Sequence, residues 1–95
     1  MPDTGGYLAA AQDVMAAHLE GEAILLHLGR QRYFRLNRTG AHIWRGIEAR
    51  KTLDEITQSL VDAFDVTHAE AEASMRALVA DLLENTLVCE HASDA

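Results

Sequence analysis

The chain has 95 residues, 48% of them hydrophobic and 24% charged, and eight Lys and Arg against fifteen Asp and Glu give a net charge of −7. Such a chain suits one small folded domain with a modest core, not a disordered segment or a multi-domain enzyme. Its apolar runs are too short to cross a bilayer, its acidic N-terminus lacks the pattern of an export signal, and the lone Cys89 excludes an internal disulfide, which agrees with a cytoplasmic setting.

Residues 1–13 are small, Gly-containing and unpatterned, and read as a flexible tail ahead of a domain spanning 14–88. Val14 to Glu20 forms a weak first strand, closed by Gly21. From Glu22 to Leu28 the pattern puts Ile24, Leu26 and Leu28 on one face and Leu25 and His27 on the other, as in a mostly buried second strand. Gly29-Arg30-Gln31 is a turn, and Arg32 to Leu36 alternates again, with Phe34 and Leu36 on one side and Tyr33 and Arg35 on the other. The three segments predict an antiparallel meander.

Beyond Leu36 the apolar period becomes helical. Asn37 is a fitting N-cap for a helix holding Ala41, Ile43, Trp44 and Ile47, with Arg50 and Lys51 complementing the dipole at its end. Thr52 and Glu55 form a capping box that opens a second helix with Leu53, Ile56, Leu60 and Phe64 on its inner stripe. Thr67 and Glu70 form another, and the third helix presents Ala71, Met75, Leu78, Val79 and Leu82 as one apolar stripe. Leu87 and Val88 tuck the chain back onto the fold, and 89–95 read as a C-terminal tail. The predicted class is α+β, a three-stranded antiparallel sheet followed by three helices, close to a winged helix with its wing first.

Charge is distributed unevenly: residues 1–29 carry −4, residues 30–51 carry +6 and residues 52–95 carry −9. The basic middle suits an acidic partner, or a solvated face balancing the molecule's own acids. Its arginines lie on the third strand and first helix, whereas the third helix carries Arg76 against four acids, a charge that opposes DNA phosphate in a helix-turn-helix reading. No pair among His18, His27, His42, His68 and His91 has the helical spacing of a two-histidine metal site. The glycines match no phosphate-binding loop, and Cys89 has no base and orienting group assigned around it. The residues therefore yield no catalytic group, no metal ligand set and no cofactor motif, and the chain reads as a non-enzyme.

The ordered series Arg32–Leu36, Asn37, Thr39-Gly40, Ile43-Trp44, Thr52-Leu53-Asp54-Glu55-Ile56, Phe64-Asp65-Val66 and Leu87-Val88 resembles the PqqD-like proteins, the recognition elements that serve ribosomally made, modified peptides. The resemblance runs from Val14 to Val88 and implies a non-catalytic peptide chaperone. Such a domain binds the leader of a precursor peptide as an added strand beside its third strand and third helix, then presents it to maturation enzymes. Within the family the chain is most similar to the stand-alone partner proteins of lasso-peptide biosynthesis, which implies a leader peptidase and an ATP-dependent cyclase as partners.

The quinone-cofactor member, which serves a radical SAM enzyme, tends to carry a proline in the turn where this chain has Gly29-Arg30-Gln31. Carried over by position, the docking residues are Arg32, Tyr33, Phe34, Arg35 and Leu36 on the strand, with Met75, Leu78, Val79 and Leu82 on the helix, each of these also a core position by its spacing. An exposed edge also allows a homodimer through the strand, and an acidic winged-helix adaptor or regulator is the alternative of another class. No nucleic acid or membrane partner is expected.

Overall fold

The computed structural model describes residues 7–91. In chain order it contains β1 (Tyr7–Ala10), β2 (Val14–Leu19), β3 (Glu22–His27), β4 (Arg32–Leu36), α1 (Arg38–Glu48), α2 (Leu53–Phe64), α3 (His68–Glu84) and β5 (Val88–His91). The α+β expectation holds: β2, β3 and β4 form a three-stranded antiparallel sheet in sequence order, followed by three helices.

Local chemistry explains the boundaries. Leu19 pairs with Glu22 across a two-residue turn in which Glu20 and Gly21 both take positive φ, at 48° and 85°. That turn matches the twist of the strands it joins. Asn37 caps α1 by accepting a hydrogen bond from the Gly40 amide at 2.9 Å. Thr52–Glu55 and Thr67–Glu70 are complete, reciprocal capping boxes. Each removes two of the orphan amides that a helix start exposes.

The core gathers Ala23 and Leu25 from β3, Leu36 from β4, Ala41, Ile43, Trp44 and Ile47 from α1, Ile56 and Leu60 from α2, and Ala71, Met75 and Leu82 from α3. Each large side chain here contributes roughly 1.5–3 kcal/mol through burial. Trp44 keeps its indole N–H satisfied, donating to Glu48 at 3.0 Å. On β3 the buried face is Ala23, Leu25 and His27, while Leu26 and Leu28 are exposed, so the second strand is half-buried and not covered on both faces. Leu53 is 38% exposed and lies outside the inner stripe of α2 assigned to it; Thr57 is buried there instead, its hydroxyl donating to the Leu53 carbonyl.

Two segments expected in tails are structured. β1 pairs antiparallel with β5 in a separate two-stranded sheet, Leu8 opposite Glu90 and Ala10 opposite Val88. The Ala11 amide extends the pairing to the Leu87 carbonyl at 2.9 Å. Leu8 is buried to 3% exposure and joins the core. The domain limits of 14 and 88 are thus too narrow, because a strand of Leu, Ala and Ala shows no alternation until its distant partner is known. The remaining tail positions, 1–6 and 92–95, lie outside the described residues.

α1 and α2 meet where His42 bonds to the Ser59 hydroxyl and stacks edge-on against Phe64, ring centroids 5.3 Å apart. Burial first, then the charges of Lys51 and Arg45, hold the His42 pKa below its ordinary 6.5. As pH falls through about 6.5 the unfolded chain takes up this proton before the folded one, so the contribution of His42 to stability is lost on acidification. Urea unfolding at neutral and mildly acidic pH is expected to show a smaller acid loss in His42→Gln than in the native chain. At the same interface a Cβ on Gly46 would stand 2.7 Å from Ile56 Cγ1. Gly46→Ala should therefore destabilise by about 1–3 kcal/mol in denaturant titration, against the gain of about 1 kcal/mol its helix propensity would bring.

Candidate peptide-docking edge

Among the described residues β4 has a strand partner on one side only. The ladder phase decides which of its groups are vacant. In an antiparallel pair, residues alternate between exchanging hydrogen bonds with the partner and pointing their amide and carbonyl away. The two-residue turn makes Leu19 and Glu22 a bonded pair, and the Leu28 amide bonds the Asp13 carbonyl at 2.8 Å further along the same register. Hence Ala23, Leu25 and His27 turn their backbone groups toward β4, where their partners are Leu36, Phe34 and Arg32. The intervening residues, Tyr33 and Arg35, aim their amides and carbonyls at the open edge.

A groove runs beside that edge. It encloses about 330 Å³ between Arg35, Leu36, Asn37, Thr39, Gly40 and Ile43 on one side and Ser74, Ala77, Leu78 and Asp81 of α3 on the other. Asn37 turns the chain out of β4 into α1, so Thr39, Gly40 and Ile43 form the floor where sheet and helix diverge. A smaller apolar recess of about 60 Å³ under Phe64 and Val66 shares Thr39 and Ser74 with it.

The docking residues expected from sequence separate into three groups. Tyr33 and Arg35 are exposed on the outer face of the sheet, Tyr33 at 75%, while Phe34 is half-buried and Leu36 buried on the helix side. Arg32 is exposed and lies over the Phe34 ring, 5.7 Å from its centroid. On α3 only Leu78 reaches the groove lining; Val79 is half-buried, and Met75 and Leu82 are in the core at 3% and 2% exposure. The wall is made instead by Ser74, Ala77, Leu78 and Asp81. Their spacing of three, one and three is itself a helical face, displaced from the buried stripe by one position. Small residues at Ser74 and Ala77 leave room for a guest, the one signal in the sequence that could have located the wall.

The electrostatics are those of a solvated lip. Arg35 pairs with Glu22 at 3.1 Å, and both side chains are well exposed. Asp81 closes the far side. Among the described residues no three His, Cys, Asp or Glu side chains are placed to hold a metal ion. No helix is long and apolar enough to cross a membrane. The open row and the adjoining crevice can bind an extended peptide; they present no arrangement of nucleophile and base.

The family described as Coenzyme PQQ synthesis protein D (PqqD) matches residues 22–88. The chain belongs to the PqqD family. Two solved structures share the fold of this PqqD-family chain. One is "TbiB1 in Complex with the TbiA(beta) Leader Peptide", 29% identical with a TM-score of 0.80, covering 84% of this chain and 93% of that one. The other is "Lasso peptide synthetase B1 complexed with the leader peptide", 24% identical with a TM-score of 0.78, covering 86% and 96%. No curated protein matches.

Proline substitutions test the ladder phase without any ligand. Arg35→Pro removes a donor that the fold does not use and should leave a cooperatively folded protein, whereas Phe34→Pro breaks the β3–β4 ladder and costs about 3 kcal/mol or more. Thermal unfolding followed by circular dichroism separates the two; equal losses would refute the assignment.

Proposed function

We propose that this protein is a non-catalytic leader-binding chaperone of lasso-peptide maturation. It takes the leader of a ribosomally made precursor as a fourth strand on the free edge of β4, beside α3, and hands the complex to a leader peptidase and a cyclase. The observation that carries this reading is the vacant Tyr33–Arg35 backbone row opening directly onto a groove. A strand added there gains main-chain hydrogen bonds whatever its sequence, and the groove selects among side chains.

Both solved relatives are complexes with a leader peptide, and the 29% identical one supports carrying that role to this chain. The family description names quinone-cofactor synthesis instead, in which a radical SAM enzyme would be the recipient. The Gly29-Arg30-Gln31 turn and the likeness to a lasso peptide synthetase B1 protein favour the peptidase and cyclase. The contacts are assigned to the backbone of Tyr33 and Arg35, the inward faces of Phe34 and Leu36, and Leu78. Arg32 joins Arg30 in attracting acidic leader residues to the edge. Met75, Val79 and Leu82 act behind the wall, as packing that holds α3 at its distance from β4.

Fluorescence anisotropy with the labelled leader peptide of a lasso precursor provides the test. Arg35→Pro and the groove-filling Ala77→Trp should each weaken binding about tenfold or more, a loss of about 1.4 kcal/mol, while both proteins stay folded. Raising salt should weaken the native complex as the arginine attraction is screened. Unchanged affinity in both variants would refute docking at this edge.

A further inference from the structure

Resting on the reading that a bound leader is passed to an enzyme, we infer that the face of α1 bearing Arg38, His42 and Arg45 is a dock for an acidic segment of that enzyme. These residues fall at i, i+4 and i+7, one stripe of the helix. They line a cleft of about 280 Å³ with Gly21, Ala41 and Phe64, and Thr39, Gly40 and Ile43 turn away from it into the leader groove.

Three observations set this face apart from an ordinary solvated one. First, its cations are unspent. Arg38, Arg45 and Lys51 have no carboxylate partner among the described residues, in a chain with fifteen acids. The nearest acid on the same helix, Glu48, is engaged by the Trp44 indole at 3.0 Å and by His18 at 3.3 Å. Second, the guanidiniums are held. His18 donates from Nε2 to Glu48 and accepts at Nδ1 from Arg45 Nε at 3.3 Å, a relay running from the buried Trp44 to the exposed arginine. Arg38 lies along Gly21, its Cγ and Nε each 3.5 Å from where a Cβ would stand. Side chains already ordered lose less entropy when they pair. Third, the cleft is floored by the Phe64 ring, so an occupant covers apolar surface as well as charge.

The spacing and the surrounding field define the occupant. Arg38 and Arg45 are two turns apart, roughly 10 Å along the axis. Acids at i and i+4 of an extended segment share one face and span about 13 Å, a separation that the two long arginine side chains can bridge. A phosphate polymer is a poor fit, since beyond this patch it meets residues 52–95 at −9. On the α3 face of a second copy the acids are largely engaged: Glu70 caps Thr67, Glu72 pairs with Arg76, and Asp81 lines the leader groove. Docking that helix would close the groove. An acidic segment of a different protein meets the patch with neither conflict.

The test uses the full chain, 15N-labelled, titrated with the synthetic peptide acetyl-Glu-Thr-Val-Thr-Glu-amide and, separately, with inorganic phosphate. Amide shifts from the peptide are expected at Gly21, Arg38, His42 and Arg45, absent with the glutamine analogue, and reduced about fivefold or more in Arg38→Glu, which removes a guanidinium that makes no hydrogen bond among the described residues. Binding of the leader peptidase to the leader-loaded protein should fall about tenfold in Arg38→Glu/Arg45→Glu, with leader affinity within about twofold of native. Arg38→Gln/Arg45→Gln is the fallback if charge reversal unfolds the chain.

Unchanged peptidase affinity overturns the inference. So do equal shifts from phosphate, tighter binding of a twelve-base oligonucleotide to the same amides, or low-salt self-association that the charge reversal abolishes. Failure of the native protein to bind leader would refute the leader-handover reading, while the peptide titration still reports on the patch.

Discussion

A strand with a neighbour on one side carries backbone groups that only water or a guest can meet, and the whole molecule is arranged around that condition in β4. The number of vacancies is small. Tyr33 and Arg35 offer two amides and two carbonyls, and four hydrogen bonds are worth about 2–6 kcal/mol net. Ordering about five guest residues costs roughly 5–10 kcal/mol of backbone entropy. Pairing alone therefore does not hold a peptide. The remainder must come from side chains in the groove and from charge, which makes the edge selective although its hydrogen bonds read no sequence. The same arithmetic protects the free protein: an unrelated strand that meets the edge without filling the groove does not stay, and the exposed arginines at Arg32 and Arg35 discourage the attempt.

Keeping the groove open requires that α3 be anchored elsewhere. Met75 and Leu82 bury their side chains in the core, and the Thr67–Glu70 capping box sets where the helix begins. Of the α3 residues that line the groove, Ser74 and Ala77 are too small to close the distance. At the far end β5 returns to pair with β1, and Leu8, Leu87 and Val88 seal the core beneath it. The second sheet thus ties Tyr7–Ala10 to Val88–His91 without pairing to β4, which stays at the flank of its own sheet.

Features set by neighbours in sequence were legible from it. The two hairpins, the Asn37 cap and both capping boxes depend on residues within a few positions, and all stand where the pattern placed them. What escaped depended on contacts across the chain. β1 is four residues whose partner lies near the other terminus, so neither half shows alternation by itself. The docking wall escaped for a different reason. An apolar stripe marks the face of α3 that is buried, whereas a groove is marked by what is small, and Ser74 and Ala77 between core positions resemble any solvated helix face until β4 is seen opposite. The exposure of Leu26 and Leu28 on β3 was hidden likewise, because hydrophobicity alone does not say which side of a three-stranded sheet the helices cover.

The helix α1 finally explains how one small domain can hold a peptide and present it. Thr39, Gly40 and Ile43 face the groove, Ala41, Trp44 and Ile47 fill the core, and Arg38 and Arg45 face outward beside His42 at the α2 seam. A guest in the groove and a protein on the outer face thus contact opposite sides of one rod without competing for space. Communication between them would need α1 to move, and little allows that. Gly46 leaves no gap against Ile56, Asn37 fixes one end, and the Lys51 amide bonds the Gly46 carbonyl at the other. Packed interfaces of this kind shift between discrete arrangements and do not flex gradually. Under the proposed function, the geometry favours two sites coupled by proximity, in which a recipient enzyme would gain from the raised local concentration of the leader and not from a change of shape.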